Sequence, residues 1–590
     1  MPPRSPEFDR DEAPRGEPGA WAFVILTWLL AVLGSLGLVA RFGANLPSWD
    51  DIGLLPVICG ERPVSLEWLW SPHNEHRLPL NRLALATLMR LSGNDFRSGM
   101  FASVAVMGLA TFALLLAVRK ARGGWRYSDS VLPLLLVGPS QHAVWLWCWE
   151  LQFALSAGLG LVVLLVLMRP RASPGWDFEA ALVGALALIL LPLCGVNGAV
   201  AVPSMAIGLV VVTRQRRRKK PGPGAALVVA VLGALVATVL AALVAGAALE
   251  SSRGSPRPDA SALLRTAGQF LAIGFGRPIA PAWSIAALFV AVSMAVAAWP
   301  MLRSLRNRRD TRPSAAGLLA FLGSGVSIAL ATAWGRASAG DLAGLETRYV
   351  TLSAPLLVGI YLALDRRAYR AWPRFLMGVL ATSAWALAWP NAVEAIAHGR
   401  ENRLQAAAVE RDLRARTPHY LMVRHHVPFL GPSQAQVSAA MESLRNGNVG
   451  AFRRMGADPP FDDVPVDPRS AVLRQASWEG DTWMLSGVDP VASYRIDPPR
   501  YVAGIQIRYD HESRQPGPAH FRLEWRRPDQ LAFTPDRVIS EWNLPSGPDR
   551  VATFWIADDV AEFRIHPDNR PGRFAIRSLR LLVPGASAEP

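Results

Sequence analysis

Long apolar runs recur from Trp21 to about Pro390, and the loops between them alternate in charge. The run 224–249, GAALVVAVLGALVATVLAALVAGAAL, carries no charge from end to end. A membrane span needs about 20 apolar residues, and a soluble domain would need a very large core to bury several such runs. The pattern predicts about 11 spans, at 21–41, 98–118, 130–147, 151–168, 179–194, 198–213, 224–249, 281–302, 314–334, 349–364 and 373–390. Four loops are rich in arginine: 119–126, 214–220, 303–312 and 365–374. Each follows an apolar run that arrives from the other side, so all four fall on one face. Arginine crosses a bilayer reluctantly, which puts that face in the cytosol.

The chain has a formal charge of +15. Its basic clusters lie against the membrane rather than on a folded domain, so anionic headgroups explain them and nucleic acid is not an expected partner. Residues 1–20 are rich in proline, glycine and mixed charge, and read as a disordered cytoplasmic tail. That mixed charge, and the length of the first apolar run, argue for an uncleaved first span. An odd number of spans then leaves the C-terminus outside. The expected location is the inner (plasma) membrane, crossed many times. Cys59, Cys148 and Cys194 are widely spaced and form no redox or metal motif.

The expected organisation is a transmembrane domain at 21–398 with a long first outer loop at 42–97, where 80–91 reads as a helix at the interface. A helical linker follows at 399–460, with amphipathic helices near 401–415 and 433–447. Residues 461–590 read as an extracytoplasmic β-sandwich, jelly-roll-like. Its strands are SYRID, YVAGIQIRYDH, AHFRLEWRR, VISEWNL, TFWIAD, EFRIHP and RFAIRSLRLLV, with period-two alternation such as Phe521, Leu523, Trp525 and Phe574, Ile576.

The outer loops hold the residues suited to chemistry. Trp49-Asp50-Asp51 follows the first span. Adjacent carboxylates near a membrane are costly unless solvated, paired or bound to a cation. They suit a general base with an electrostatic partner, or a divalent cation site. The simpler alternative is that one caps a short helix while the other faces water. His73-Asn74-Glu75-His76-Arg77 packs two imidazoles, a carboxylate and a guanidinium into a short stretch of an apolar protein. No third ligand accompanies His73 and His76, so hydrogen bonding to a polar substrate is favoured over zinc, and no metal ligand is assigned. Arg348 and Tyr349 enter a late span from the outer side, and Arg336 closes the span before it. An arginine there either holds phosphate or anchors at the interface. Glu150, after Trp145, Trp147 and Trp149, either lines the outer cavity or is a solvated loop acid, the second being favoured. His425 and His426 read as surface histidines.

A first span, a long outer loop with an acidic pair, about eleven spans and a folded C-terminal domain together resemble the GT-C superfamily of membrane glycosyltransferases. The strands around Tyr494-Arg495-Ile496-Asp497-Pro498 and Phe563-Arg564-Ile565-His566-Pro567 look like jelly-roll carbohydrate-binding modules. The resemblance implies a polyprenyl-phosphate-linked sugar as donor, held at its phosphate by Arg348. Asp50 or Asp51 would be the catalytic base, and an outer glycan or lipid the acceptor. Glu75 joins the catalytic set from local chemistry alone. His73, His76, Arg77, Glu150, Arg336 and Tyr349 join Arg348 as substrate contacts. Two other readings remain: a transporter or flippase for a lipid-linked glycan, and a non-catalytic membrane protein whose sandwich binds polysaccharide. Few polar residues lie deep inside the spans, which disfavours ion-coupled transport.

Overall fold

The computed structural model describes residues 16–169, 174–219, 224–251, 258–306, 313–368, 370–513 and 519–585. Most of the 1–20 tail therefore lies outside the described residues, as do parts of three basic loops and of the 250–270 loop. The chain divides into two compact units, one of residues 1–45 and 64–403, the other of 46–63 and 404–590.

The first unit is helical. Among the described residues, 10 helices are long and apolar enough to cross a membrane. Ten helices rather than eleven arise because 130–147 is not one continuous helix, although it still runs from Asp129, in the Arg122 and Asp365 charge network, to Glu150, beside Arg348. It breaks into short pieces, with helical turns at Val131–Leu136 and His142–Trp145. Gly138-Pro139 lies between them; proline supplies no backbone N–H, and a Cβ at Gly138 would stand 2.2 Å from the Leu134 carbonyl oxygen. The interface helix of the first outer loop is present as α1 (Pro79–Ser92), closed by Gly93 at φ 68°.

Three further helices position the site. Helix α2 (Leu151–Met168) packs against α3 (Pro313–Arg336) and α4 (Val350–Asp365). Every residue of α4 from Val350 to Leu364 is buried, so it forms the centre of the bundle. At its C-terminal end Asp365 pairs with Arg122 at 2.7 Å and Arg126 at 2.7 Å. Arg122 also pairs with the buried Asp129 at 2.8 Å, and the Tyr361 hydroxyl donates to Asp129 at 2.9 Å. Asp129 is almost fully removed from water and Arg122 and Asp365 nearly so, which is tolerable only because each is matched.

The second unit joins the end of α5 (Ala371–Arg414), α6 (His419–His426), α7 (Gln434–Asn446) and an antiparallel sheet. The expected 401–415 helix is thus the last part of a 44-residue helix. Nine strands form one hydrogen-bonded network: β1 (Phe461–Val466), β2 (Val472–Arg474), β3 (Ala476–Glu479), β4 (Thr482–Leu485), β5 (Val491–Ser513), β6 (Ala519–Arg526), β7 (Val538–Leu544), β8 (Gly547–His566) and β9 (Gly572–Pro584). The order is β3-β4-β9-β5-β8-β6-β7, with β1 also on β9 and β2 on β5. SYRID and YVAGIQIRYDH are halves of β5, and TFWIAD and EFRIHP are halves of β8. Register shifts at Arg495/Arg500 and Val502/Gly504 let the long pair bend instead of ending. Both halves of each contribute to one core, which includes Tyr494, Ile505, Tyr509, Phe554 and Phe563. The α7 start is tied to the sheet by Gln434. Its side chain accepts from Trp555 N at 2.8 Å and donates to Trp555 O at 3.0 Å, as a neighbouring strand would.

Residues 46–63 belong to this unit rather than to the remainder of the first loop. Trp49 N donates to Leu430 O at 2.8 Å, and the Ser48 hydroxyl donates to Phe429 O at 3.0 Å. Cys59 stands beside Gly447, and burial followed by the charge of Glu61 pushes its thiol up to about 11.

After β8, Asp568 is buried and paired with His511 of β5 at 3.1 Å and with Arg570 at 2.7 Å. Burial opposes its charge, but the hydrogen bonds from His511 and Arg570 prevail and hold its carboxyl below the usual value. A depressed folded pKa means that the stabilisation is complete above the ordinary carboxylate value and is lost as pH falls through the folded one. Asp568→Asn is expected to cost about 3 kcal/mol at neutral pH, by leaving Arg570 and His511 without their anion. Thermal unfolding of the purified chain, followed by tryptophan fluorescence, should show a shallower loss of stability on acidification in the variant.

Candidate active site

The first-loop motif folds as a tight hairpin turn. His73 N donates to His76 O at 2.8 Å and His76 N to His73 O at 2.9 Å. Asn74 takes φ 51°, a region asparagine tolerates better than most residues. The turn is held from below by α1. Arg82, on the buried face of that helix, donates to Trp68 O at 2.6 Å and Ser71 O at 2.7 Å, and its guanidinium covers the Trp68 ring at 5.4 Å. Arg77 donates to Trp70 O. Arg77 therefore braces the turn through a backbone carbonyl.

At the tip, Glu75 accepts from Arg336 at 2.9 Å and lies 3.5 Å from His76 Nε2. All three side chains are about one-third exposed, at 34%, 38% and 31%. On the other limb of the turn, the His73 ring lies against Trp149, with centroids 4.3 Å apart. Trp149 is fully buried, and its carbonyl accepts from Asn81 of α1 at 3.1 Å.

Glu150 follows directly. Its side chain is 1% exposed, which overturns the solvated-loop reading. Arg348, at the N-terminal end of α4, is its cation at 3.7 Å, and Gln152 donates to it at 3.5 Å. A carboxylate removed from water needs such a partner. Arg348 remains 29% exposed and covers Tyr349 at 5.7 Å. Tyr349 itself is buried with Phe270, Ile273, Leu345 and Leu352, so its ring is part of the core. Arg336, Glu75, His73, Trp149, Glu150 and Arg348 thus form one chain of neighbours: two guanidiniums, two carboxylates, an imidazole and an indole.

Asp50 and Asp51 lie in the other unit. Asp51 is 1% exposed, and its Oδ2 accepts from Ser48 N at 3.0 Å. The two form a capping box for the 3₁₀ turn Trp49–Leu54. The helix-cap alternative therefore holds for Asp51, and Asp50 beside it is half-buried. Among the described residues, neither belongs to a group of three converging His, Cys, Asp or Glu donors.

Sequence reasoning missed Arg82 and Asn81. The available signal was a charge and an amide placed within the apolar stripe of α1.

No known protein-family profile and no curated protein sequence matches this chain. Solved structures give distant likenesses. The chain is similar to ArnT from Cupriavidus metallidurans bound to undecaprenyl phosphate, with 17% identity and a TM-score of 0.35 over 74% of this chain and 77% of that one. It is similar to the arabinosyltransferase EmbB from Mycobacterium smegmatis, with 13% identity and a TM-score of 0.29 over 98% of this chain and 66% of that one. It is also similar to the oligosaccharyltransferase AglB from Archaeoglobus fulgidus in complex with an inhibitory peptide and a dolichol-phosphate, with 14% identity and a TM-score of 0.36 over 70% of this chain and 60% of that one. The matched proteins are GT-C glycosyltransferases.

The Glu150–Arg348 pair yields a direct test. Arg348→Ala should cost about 2 kcal/mol, less than for a wholly buried pair because the arginine is partly wet. Adding Glu150→Gln to that variant should restore most of the loss, as read from thermal unfolding in detergent.

Proposed function

We propose that this chain is an integral membrane glycosyltransferase. It moves a sugar from a polyprenyl-phosphate-linked donor to an extracytoplasmic glycan or lipid acceptor. The observation that carries the reading is two carboxylate–guanidinium pairs, Glu75 with Arg336 and Glu150 with Arg348, whose arginines lie at the ends of apolar helices, with the His73 ring against Trp149. A lipid-linked sugar phosphate needs cations at a membrane surface, with an apolar path for its tail. Arg336 and Arg348 supply planar, permanently charged forks suited to phosphate oxygens. Each already holds a carboxylate, so neither guanidinium collapses into the bundle when the site is empty.

In the proposed reaction, the acceptor hydroxyl oxygen attacks the anomeric carbon. The bond from that carbon to the phosphate oxygen breaks, and polyprenyl phosphate leaves with the electron pair. Glu75 takes the hydroxyl proton, aided by its position beside His76. The resemblance to GT-C enzymes offers Asp50 or Asp51 instead. Of these, Asp50 is the better candidate, because the Asp51 carboxylate already caps its own turn. Positive charge on the sugar ring would be stabilised by the nearby carboxylates. The arginines keep the leaving phosphate from recapturing the proton and the sugar.

A second reading has its own support. Trp542 on β7 is 60% exposed and stacks on His520 of β6 with centroids 3.6 Å apart. The neighbouring face carries Arg522, Glu524, Asp489 and His566 in mutual contact. An exposed indole beside fixed polar groups suits a sugar face, so the sheet could bind glycan without any transfer.

Substitution separates the two. Glu75→Gln and Asp50→Asn are expected to lower transfer by at least about 100-fold where they remove the base, with polyprenyl-linked sugar accumulating in the cell. Mass analysis of lipid-linked sugars reads this out. Trp542→Ala should leave the chemical step intact on the enzyme reading. If both carboxylate variants turn over normally and only Trp542→Ala has a phenotype, the binding reading replaces the enzyme. The orientation is checked by reporter fusions: one after Pro590 should be active outside the cytosol, and one after Lys220 inside.

A further inference from the structure

Within the second unit, the last turns of α5 and α6 bring Asp412, His425 and His426 together. One oxygen, Asp412 Oδ2, lies 3.2 Å from His425 Nδ1 and 3.0 Å from His426 Nε2. All three donor atoms fall within 4.8 Å of one another. Neighbouring residues on a helix diverge by about 100°, so two adjacent histidines do not ordinarily reach one point. Here they do because one ring offers Nδ1 and the other Nε2, with the ring planes at 89°. The side chain of His426 is only 6% exposed, which overturns its reading as a surface histidine, whereas His425 is 49% exposed.

The spacing suits a metal ion. Donors about 2.0–2.2 Å from a tetrahedral ion stand roughly 3.3 Å apart, close to the observed 3.0 and 3.2 Å. Two imidazoles and one carboxylate favour a borderline ion over the oxygen-loving Mg²⁺ or Ca²⁺. Both helices end at this point, Asp412 two residues before Arg414 and His426 at the last position of α6. Helix C-termini present carbonyls, whose partial negative charge favours a cation. The charge of Arg411 also reaches the His426 ring. The other nearby arginines are engaged elsewhere. Arg414 donates to Glu410 at 3.2 Å, while Arg424 donates to Ile556 O at 3.2 Å and covers Trp525 at 5.0 Å.

We propose that Asp412, His425 and His426 bind one divalent transition-metal ion of the Zn²⁺ class, with solvent completing its coordination on the exposed His425 side. The ion clips the C-terminal end of α5 to that of α6. Its role is structural and does not depend on the glycosyltransferase reading.

The test uses the full chain in detergent, stripped with a chelator and reloaded with Zn²⁺. Bound metal is counted after gel filtration, and affinity is read by competition with a chromophoric zinc chelator. One Zn²⁺ per chain is expected, with binding at least about tenfold weaker in His425→Ala and in Asp412→Asn. His425 is half-exposed, so its variant keeps the fold, which circular dichroism checks. Zn²⁺ should raise the unfolding temperature of the natural chain and not of either variant. Binding that is absent, or equal in the natural chain and the His425→Ala variant, overturns the site. Equal competition by Mg²⁺ overturns the assigned class of ion.

Discussion

A charge buried in an apolar bundle must face an opposite charge or a set of polar acceptors, and that rule organises the helical unit. Helix α4 shows it most plainly. All but its final residue is buried, and paired charges close both ends, roughly 24 Å apart at 1.5 Å per residue. At one end Asp365 meets Arg122 and Arg126, and at the other Arg348 meets Glu150. Removing Arg348 takes from the dry Glu150 the cation that offsets its burial, whereas Asp365 keeps one arginine if the other is lost. Paired charges at both ends therefore add to the side-chain packing that holds the helix along its axis.

The candidate site uses the same rule with one difference. In the Arg122 network the charges are nearly dry, and they lock. Around Glu75 and Arg336 the side chains are about one-third exposed, so water and a ligand can reach them. Glu150 and Arg348 stand between the two cases, with a dry acid and a partly wet base. The three sets of charges thus grade from dry to half-wet. The hairpin at 73–76 is held to this geometry by Arg82 and by the Trp149 ring, so its polar tip does not depend on ligand for its shape.

Much of the site was legible as separate residues and not as a set. Glu75, Arg336, Glu150 and Arg348 each stood out as charges beside apolar runs, but nothing in their spacing paired Glu75 with a residue 261 positions away. Glu150 looked solvated because it sits in a loop, and burial of that loop by the bundle reverses the inference. Tyr349 looked like part of a ligand motif because it adjoins Arg348; its ring instead fills the core. Asp51 was open between catalysis and capping, and the capping box accounts for one of its carboxylate oxygens. In the sheet, alternation located the strands, yet it could not join SYRID to YVAGIQIRYDH, because a bulge interrupts the pattern without ending the strand.

Apolar length and the distribution of arginine determined that this chain is a many-helix membrane protein followed by a strand-rich segment, since hydrophobic burial and period-two alternation are properties of local sequence. Tertiary structure alone decided that residues 46–63 fold with the C-terminal unit, that 130–147 is broken, and which carboxylate meets which guanidinium. Pairings of this kind depend on how distant helix ends are stacked. That stacking is set by packing and by compensation of buried charge, and neither is written in any single stretch of the chain.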